Sequence, residues 1–216
     1  MKIIQMILVT AVLVTQAGKV LAQESSWSFY GGLGHIAFAT AASVKVNGAE
    51  VRDGGASASS NNAMAFGVVY HFDEHWSAEL ALGLPPTTTL TGSGTLSSAG
   101  TLGKVKYGPA VLSVRYVFFK QSLVQPYIGA GINYTHVFSS QDGFVQGLKT
   151  RSAFGPVLQV GVSVPLKEHW SLVLDVKKIW ASTTATGTLP ALGGSSATAD
   201  VRLDPLVSTV ALSYRF

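Results

Sequence analysis

Five histidines, His35, His71, His75, His136 and His169, are the side chains of this chain best suited to moving protons near neutral pH. Hydrolysis at any of them needs a nucleophile within hydrogen-bond reach and an acid to orient the ring. His136 stands a few residues from Ser139 and Ser140, the pair a lipid-facing hydrolase would use, but the spacing supplies no acid to complete it. The repeated stretches "DEHWSAEL" and "KEHWSLVL" set His75 and His169 beside carboxylates, the outline of a metal site. Two histidines from separate turns without a third close ligand hold a metal poorly, so the bland reading is preferred: a charged turn followed by a tryptophan. The cluster "GAGIN" does not lead from a strand into a helix and is no phosphate cradle. Without cysteine there is no thiolate site and no disulfide. No catalytic residue, metal or cofactor is expected.

The elements that carry these residues are unusual in where their apolar side chains fall. Only 12% of the chain is charged and its mean hydropathy is +0.34, too few charges for an ordinary soluble surface of this size. Residues 1–22 have an early lysine, an apolar run of roughly twelve residues and small residues at Val20 and Ala22, the layout of a cleaved signal peptide. Of the 15 lysines and arginines, Lys2 and Lys19 fall in that leader, leaving 13 against 11 acidic residues, which makes no case for a nucleic-acid partner. Beyond the leader, glycine, proline, serine and threonine interrupt every apolar run, so no transmembrane helix is expected in residues 23–216.

Strict alternation is the dominant pattern instead. The final segment sets Phe216, Tyr214, Leu212 and Val210 on one face and Arg215, Ser213, Ala211 and Thr209 on the other. Similar stretches occupy 27–39, 63–72, 76–84, 107–118, 126–138, 154–164, 170–180 and 203–216. The first is too rich in glycine to phase. Short connections at 73–75, 120–125 and 167–169 alternate with long ones at 40–62, 86–106, 139–152 and 181–202, the habit of outer-membrane barrels. The fold class is therefore all-β: an eight-stranded antiparallel transmembrane β-barrel of the bacterial outer membrane, its outward face solvated by membrane lipid and lipopolysaccharide. Trp170 and Trp180 are ten residues apart on one face, which at ~3.3 Å per residue and a tilt near 40° separates them by about 25 Å, the height of the apolar band. Trp76, Trp170, Trp180, Tyr214 and Phe216 are the expected aromatic girdle, with Lys178 snorkelling toward headgroups.

The inward positions carry the remaining chemistry. Glu79, Arg115 and Arg215 lie near the periplasmic strand ends and are expected to form a neutralised polar floor across the lumen, because charges in so narrow a barrel need partners. Val69, Ala81, Val111, Gly129, Gly131, Asn133, Gln159, Asp175 and Lys177 are expected to line the lumen above. Many of these side chains are small, which leaves space for one small ligand.

The runs "QPYIGAGINYT" at 125–135 and "VRLDPLV" with "ALSYRF" at 201–216 resemble signatures of the outer membrane protein W (OmpW/AlkL) family. "HWSAELALGLP", "GPVLQVGVSV" and "HWSLVLDV" fit the same pattern, so the similarity covers the mature chain. The resemblance implies a hydrophobic channel for small apolar solutes with a lateral exit through the wall. It also implies recognition of the C-terminal strand by the outer-membrane assembly machinery. The chain departs from the pattern with "YGP" at 107–109, where members carry Leu-Pro-Pro, and with Lys177 at a position aromatic in some members. Pro85 and Pro109, on consecutive strands toward the long loops, each remove a ladder donor and mark the expected exit. A structural or protective barrel is the alternative function.

Overall fold

A computed structural model describes residues 26–216, so the expected signal peptide at 1–22 lies outside the described residues. In chain order the strands begin with β1 (Trp27–Ala37), β2 (Ala41–Val46), β3 (Ala49–Glu50), β4 (Gly54–Ala58) and β5 (Asn61–His71). There follow β6 (Trp76–Gly83), β7 (Thr87–Gly94), β8 (Thr101–Val117), β9 (Gln125–Asp142) and β10 (Gln146–Thr150). The last are β11 (Ala153–Pro165), β12 (Trp170–Ile179), β13 (Ser182–Leu189), β14 (Ser195–Arg202) and β15 (Leu206–Arg215).

Eight of them close a cylinder in the order β1, β5, β6, β8, β9, β11, β12, β15, every pair antiparallel. The seam joins the chain's two ends: β1 and β15 pair from Ser28 opposite Arg215 to Ala37 opposite Leu206. Lipid offers no hydrogen-bond partner to a bare strand edge, so closure is the condition for crossing a membrane with strands.

The outer face is a belt of exposed hydrophobic side chains, among them Met64, Phe66, Leu80, Leu82, Leu112, Ile128, Ile132, Leu158, Val160, Leu174, Val210 and Leu212. The phase of β1 is now fixed, with Trp27, Phe29 and Leu33 outward and Ser28, Tyr30 and Ile36 inward. At the short-turn end the rings form a ladder around the cylinder: Trp27 on Tyr70, Trp76 on Tyr116, Trp170 on Tyr214, and Phe29 on Phe216. The two "HWS" turns are built alike, each tryptophan meeting its tyrosine at 5.0 Å and 64°.

At the opposite end the segments expected as long loops are themselves largely strand. β14 pairs with β13 and β2, β7 with β4 and β8, and β10 with β13, extending the wall beyond the membrane. Lys178, expected to point to headgroups, instead donates from Nζ to the Asp204 carbonyl at 2.5 Å.

Candidate functional site: a plugged lumen with apolar cavities above it

Alternation turns every second side chain of the eight strands into the lumen, and at mid-height those side chains are polar and fully bonded. Glu79 on β6, 1% exposed, is the hub. Its Oε2 accepts from Gln159 Nε2 at 2.6 Å and faces Arg115 at 3.4 Å; its Oε1 accepts from Tyr30 OH at 2.5 Å and Lys177 Nζ at 3.2 Å. Asp175 on β12 is the second acid, accepting from Lys177 Nζ at 2.6 Å, Gln159 Nε2 at 2.8 Å and Tyr127 OH at 2.7 Å. Ser113 Oγ donates to Gln159 Oε1, Arg115 Nε donates to Ser77 Oγ, and the Arg115 guanidinium lies 4.9 Å over the Tyr127 ring. Two acids meet two bases, so the layer is neutral, as buried charges require.

The layer has an internal repeat. Tyr30 on β1 lies over Gly67 on β5 and reaches Glu79 on β6; Tyr127 on β9 lies over Gly161 on β11 and reaches Asp175 on β12. Neither tyrosine stood out in the sequence. Tyr30 sits in the unphased first strand, while Tyr127 shares the alternation of Gly129 and Asn133, the signal that marks it as inward.

Apolar packing seals the upper side of the plug with Val111, Ala153, Val157 and Ile179, while below it Val69, Val117 and Val173 pack with Tyr30 and Tyr127. Above that seal lies a cavity of about 70 Å³ lined by Ile36, Phe38, Leu90, Val105, Tyr107, Pro109, Val137, Ala153, Ile179 and Val207 among others. A second, of about 330 Å³, sits among the extramembrane strands and is lined by Val44, Val46, Leu96, Leu102, Phe144, Leu148 and Leu189 among others. The two share Leu90, Ala185 and Val201 in their walls. Below the plug, a polar cavity of about 260 Å³ opens toward the short turns between Ser28, His71, Lys120, Gln125 and Arg215.

The expected floor therefore takes a different form. Glu79 and Arg115 do meet, but their further partners are Lys177, Asp175, Gln159 and the two tyrosines, whereas Arg215 lines the separate cavity beneath. Val69, Ala81, Val111, Gly129, Gly131 and Asn133 lie on the inward faces of their strands, Val69, Val111 and Asn133 fully buried. His75 uses Nδ1 on the Val117 carbonyl at 2.9 Å and stacks on Tyr116. His136 lies 3.5 Å from Ser152, not at Ser139 or Ser140. Among the described residues no group of three or more histidines and acids is placed to hold a metal.

The wall is discontinuous at one place beside the upper cavity. β5 pairs with β6 up to Ala65 opposite Gly83, and Leu84 N–H still reaches the Met64 carbonyl. Beyond it, among the described residues, no backbone hydrogen bond joins 61–63 to 85–87, and pairing resumes with Ser59 N–H on the Thr89 carbonyl. Pro85 and Pro86 have no N–H to offer. On their other side Tyr107 N–H bonds the Pro86 carbonyl at 3.1 Å, and Pro109 lies within the β8 ladder opposite Thr135. The missing pairing thus lies on the β5 side of Pro85 rather than toward Pro109.

A closed antiparallel barrel with a lipid-facing apolar belt, an aromatic girdle and a neutral polar core defines an outer-membrane protein of the Gram-negative envelope. The OmpW family model matches residues 23–216, and the chain belongs to that family. It is 38% identical over 195 residues to the dibenzothiophene metabolism operon protein PahQ of Pseudomonas aeruginosa, covering 90% of each chain. It is 27% identical to the outer membrane protein AlkL of Ectopseudomonas oleovorans over 80% of this chain and 74% of that one. The crystal structure of the outer membrane protein OprG from Pseudomonas aeruginosa superposes with a TM-score of 0.83 at 25% identity, covering 92% of this chain and 99% of that one. The relatives and structures it matches include outer-membrane proteins.

Proposed function

We propose that the barrel takes up small apolar molecules passively from the cell exterior and releases them sideways into the outer membrane. The observation that carries this reading is the order of environments along the lumen: apolar cavities from the extramembrane strands inward, ending on a neutral, fully bonded plug. A hydrocarbon can desolvate into the first part at no polar cost and cannot continue through the second without breaking charge-assisted bonds. The proline break beside the upper cavity supplies the remaining outlet, with Pro85 and Pro86 flanking the missing pairing and Pro109, on the next strand, lining the cavity behind it. A relative named for a dibenzothiophene metabolism operon supports a solute that is apolar and of modest size. The leader and the aromatic terminal strand fit export followed by recognition by the assembly machinery.

The test compares uptake of n-octane by cells with and without the protein, then with Pro85 and Pro86 replaced by alanine. Uptake is expected to depend on the protein and to fall in the double variant; unchanged uptake in that variant would sink the lateral route. The polar plug is also what a purely structural barrel would carry, which makes that the second reading. Protein-independent octane uptake would favour it.

A further inference from the structure

We infer that Tyr107 is the gate of the lateral outlet, barred across its inner side by a hydrogen bond with Asn61. The inference rests on the uptake route proposed above and names the residue that controls it. Going around the wall, the break separates β5 from Pro85 and Pro86, and β8 comes next. Tyr107 belongs to β8, points into the upper cavity and is 6% exposed. Its phenol oxygen nevertheless accepts from Asn61 Nδ2, on β5, at 3.3 Å. To make that bond the ring has to cross behind the prolines, over the stretch where the ladder is missing. The bar closes the opening from inside.

What holds the ring there is weak and reversible. Asn61 shares its amide donors between Tyr107 and the Ser59 carbonyl at 3.0 Å, and Phe38 meets the Tyr107 ring edge-on at 5.8 Å. Around Tyr107 the backbone is irregular: the β8–β9 register slips between Lys106 and Tyr107. A bulge re-aims the side chain it carries. Gly108 follows, and a Cβ there would lie 2.8 Å from Phe138 and 3.4 Å from Pro85. Pro85 and the Phe138 ring thus pack against a residue without a side chain. Opening needs one aromatic side chain to change rotamer, with no ladder bond to break, and the cavity then meets the acyl chains directly.

The test has two readouts. n-Octane uptake is measured for the wild type, Tyr107→Phe, which keeps the ring and loses the hydroxyl, and Tyr107→Ala, which removes the bar. Tyr107→Phe is expected to speed uptake roughly two- to tenfold, the factor for one neutral hydrogen bond, and Tyr107→Ala by more. Because the chain has no cysteine, Ala153→Cys places a single thiol in the upper cavity. In lipid vesicles that thiol is challenged with a long-chain N-alkyl maleimide confined to the bilayer. Labelling is expected to accelerate when Tyr107→Phe or Tyr107→Ala is added. Labelling that neither substitution changes would overturn the gate, whatever uptake does. Accelerated labelling with protein-independent octane uptake would uphold the gate and overturn the transport reading instead.

Discussion

Gly67 and Gly161 are positions where a side chain would strike the plug. A Cβ on Gly67 would lie 2.2 Å from the Tyr30 ring, and one on Gly161 2.4 Å from the Tyr127 ring. Each ring lies flat over its glycine because only that posture carries its hydroxyl to the acid on the next strand. Gly67→Ala therefore has to lift Tyr30 and break its bond to Glu79, and it is expected to destabilise the barrel by about 1–3 kcal/mol, the range for overpacking a filled core. Urea unfolding in lipid vesicles measures this, and the penalty should shrink in a Tyr30→Ala background, where the alanine meets empty space. The same residues mark where sequence reading stops. Glu79 and Arg115 could be placed in the lumen because Leu80, Leu82, Leu112 and Val114 alternate with them. Gly31, Gly32 and Gly34 erase that contrast in β1, so Tyr30 had no assignable face. Lys177 and Glu79 are 98 residues apart, and their contact depends on cross-lumen distances that no strand pattern contains.

At the scale of elements, the membrane-spanning strands were legible because lipid imposes a period of two, whereas the extramembrane strands were not. Runs such as "SSATADVR" and "STTATGTL" are small and polar on both faces, so β13 and β14 show no alternation and read as loop. The two matching hairpin turns show how little is needed to fix a strand entrance. In the first, Asp73 Oδ1 accepts from the N–H groups of His75 at 2.7 Å and Trp76 at 2.8 Å; in the second, Lys167 stands in its place and its carbonyl accepts from Trp170 N–H at 3.0 Å. Those two N–H groups hold the Asp73 carboxyl below the usual carboxylate range. A lowered value in the folded state means that its stabilisation is present above the ordinary carboxylate pKa of about 3.9 and is lost as pH falls through the lowered one. Asp73→Ala should thus be less stable than the wild type at neutral pH. The two should converge in acid, as followed by urea unfolding in vesicles from pH 7 to pH 2.

For the whole molecule, the consequence of a neutral plug is that solute movement and ion movement are separable. Arg115 and Lys177 against Glu79 and Asp175 leave no net charge to draw ions in, and the apolar layer of Val111, Ala153, Val157 and Ile179 closes the lumen above them. In planar bilayers the wild-type barrel should show no resolved ion conductance. Removing one acid alone leaves a base buried without its partner, which costs about 3–5 kcal/mol and confuses opening with unfolding. Glu79→Ala combined with Arg115→Ala removes one charge of each sign, leaves the Lys177–Asp175 pair intact and exchanges two long side chains for methyl groups. That double variant should conduct ions while n-octane uptake stays near the wild-type rate, because an apolar solute leaves above the plug and never meets it. A double variant that conducts but loses octane uptake would place the plug on the solute's path and the outlet at the periplasmic mouth. A wild type that already conducts would mean that the bonded layer at Glu79 does not close the lumen at all.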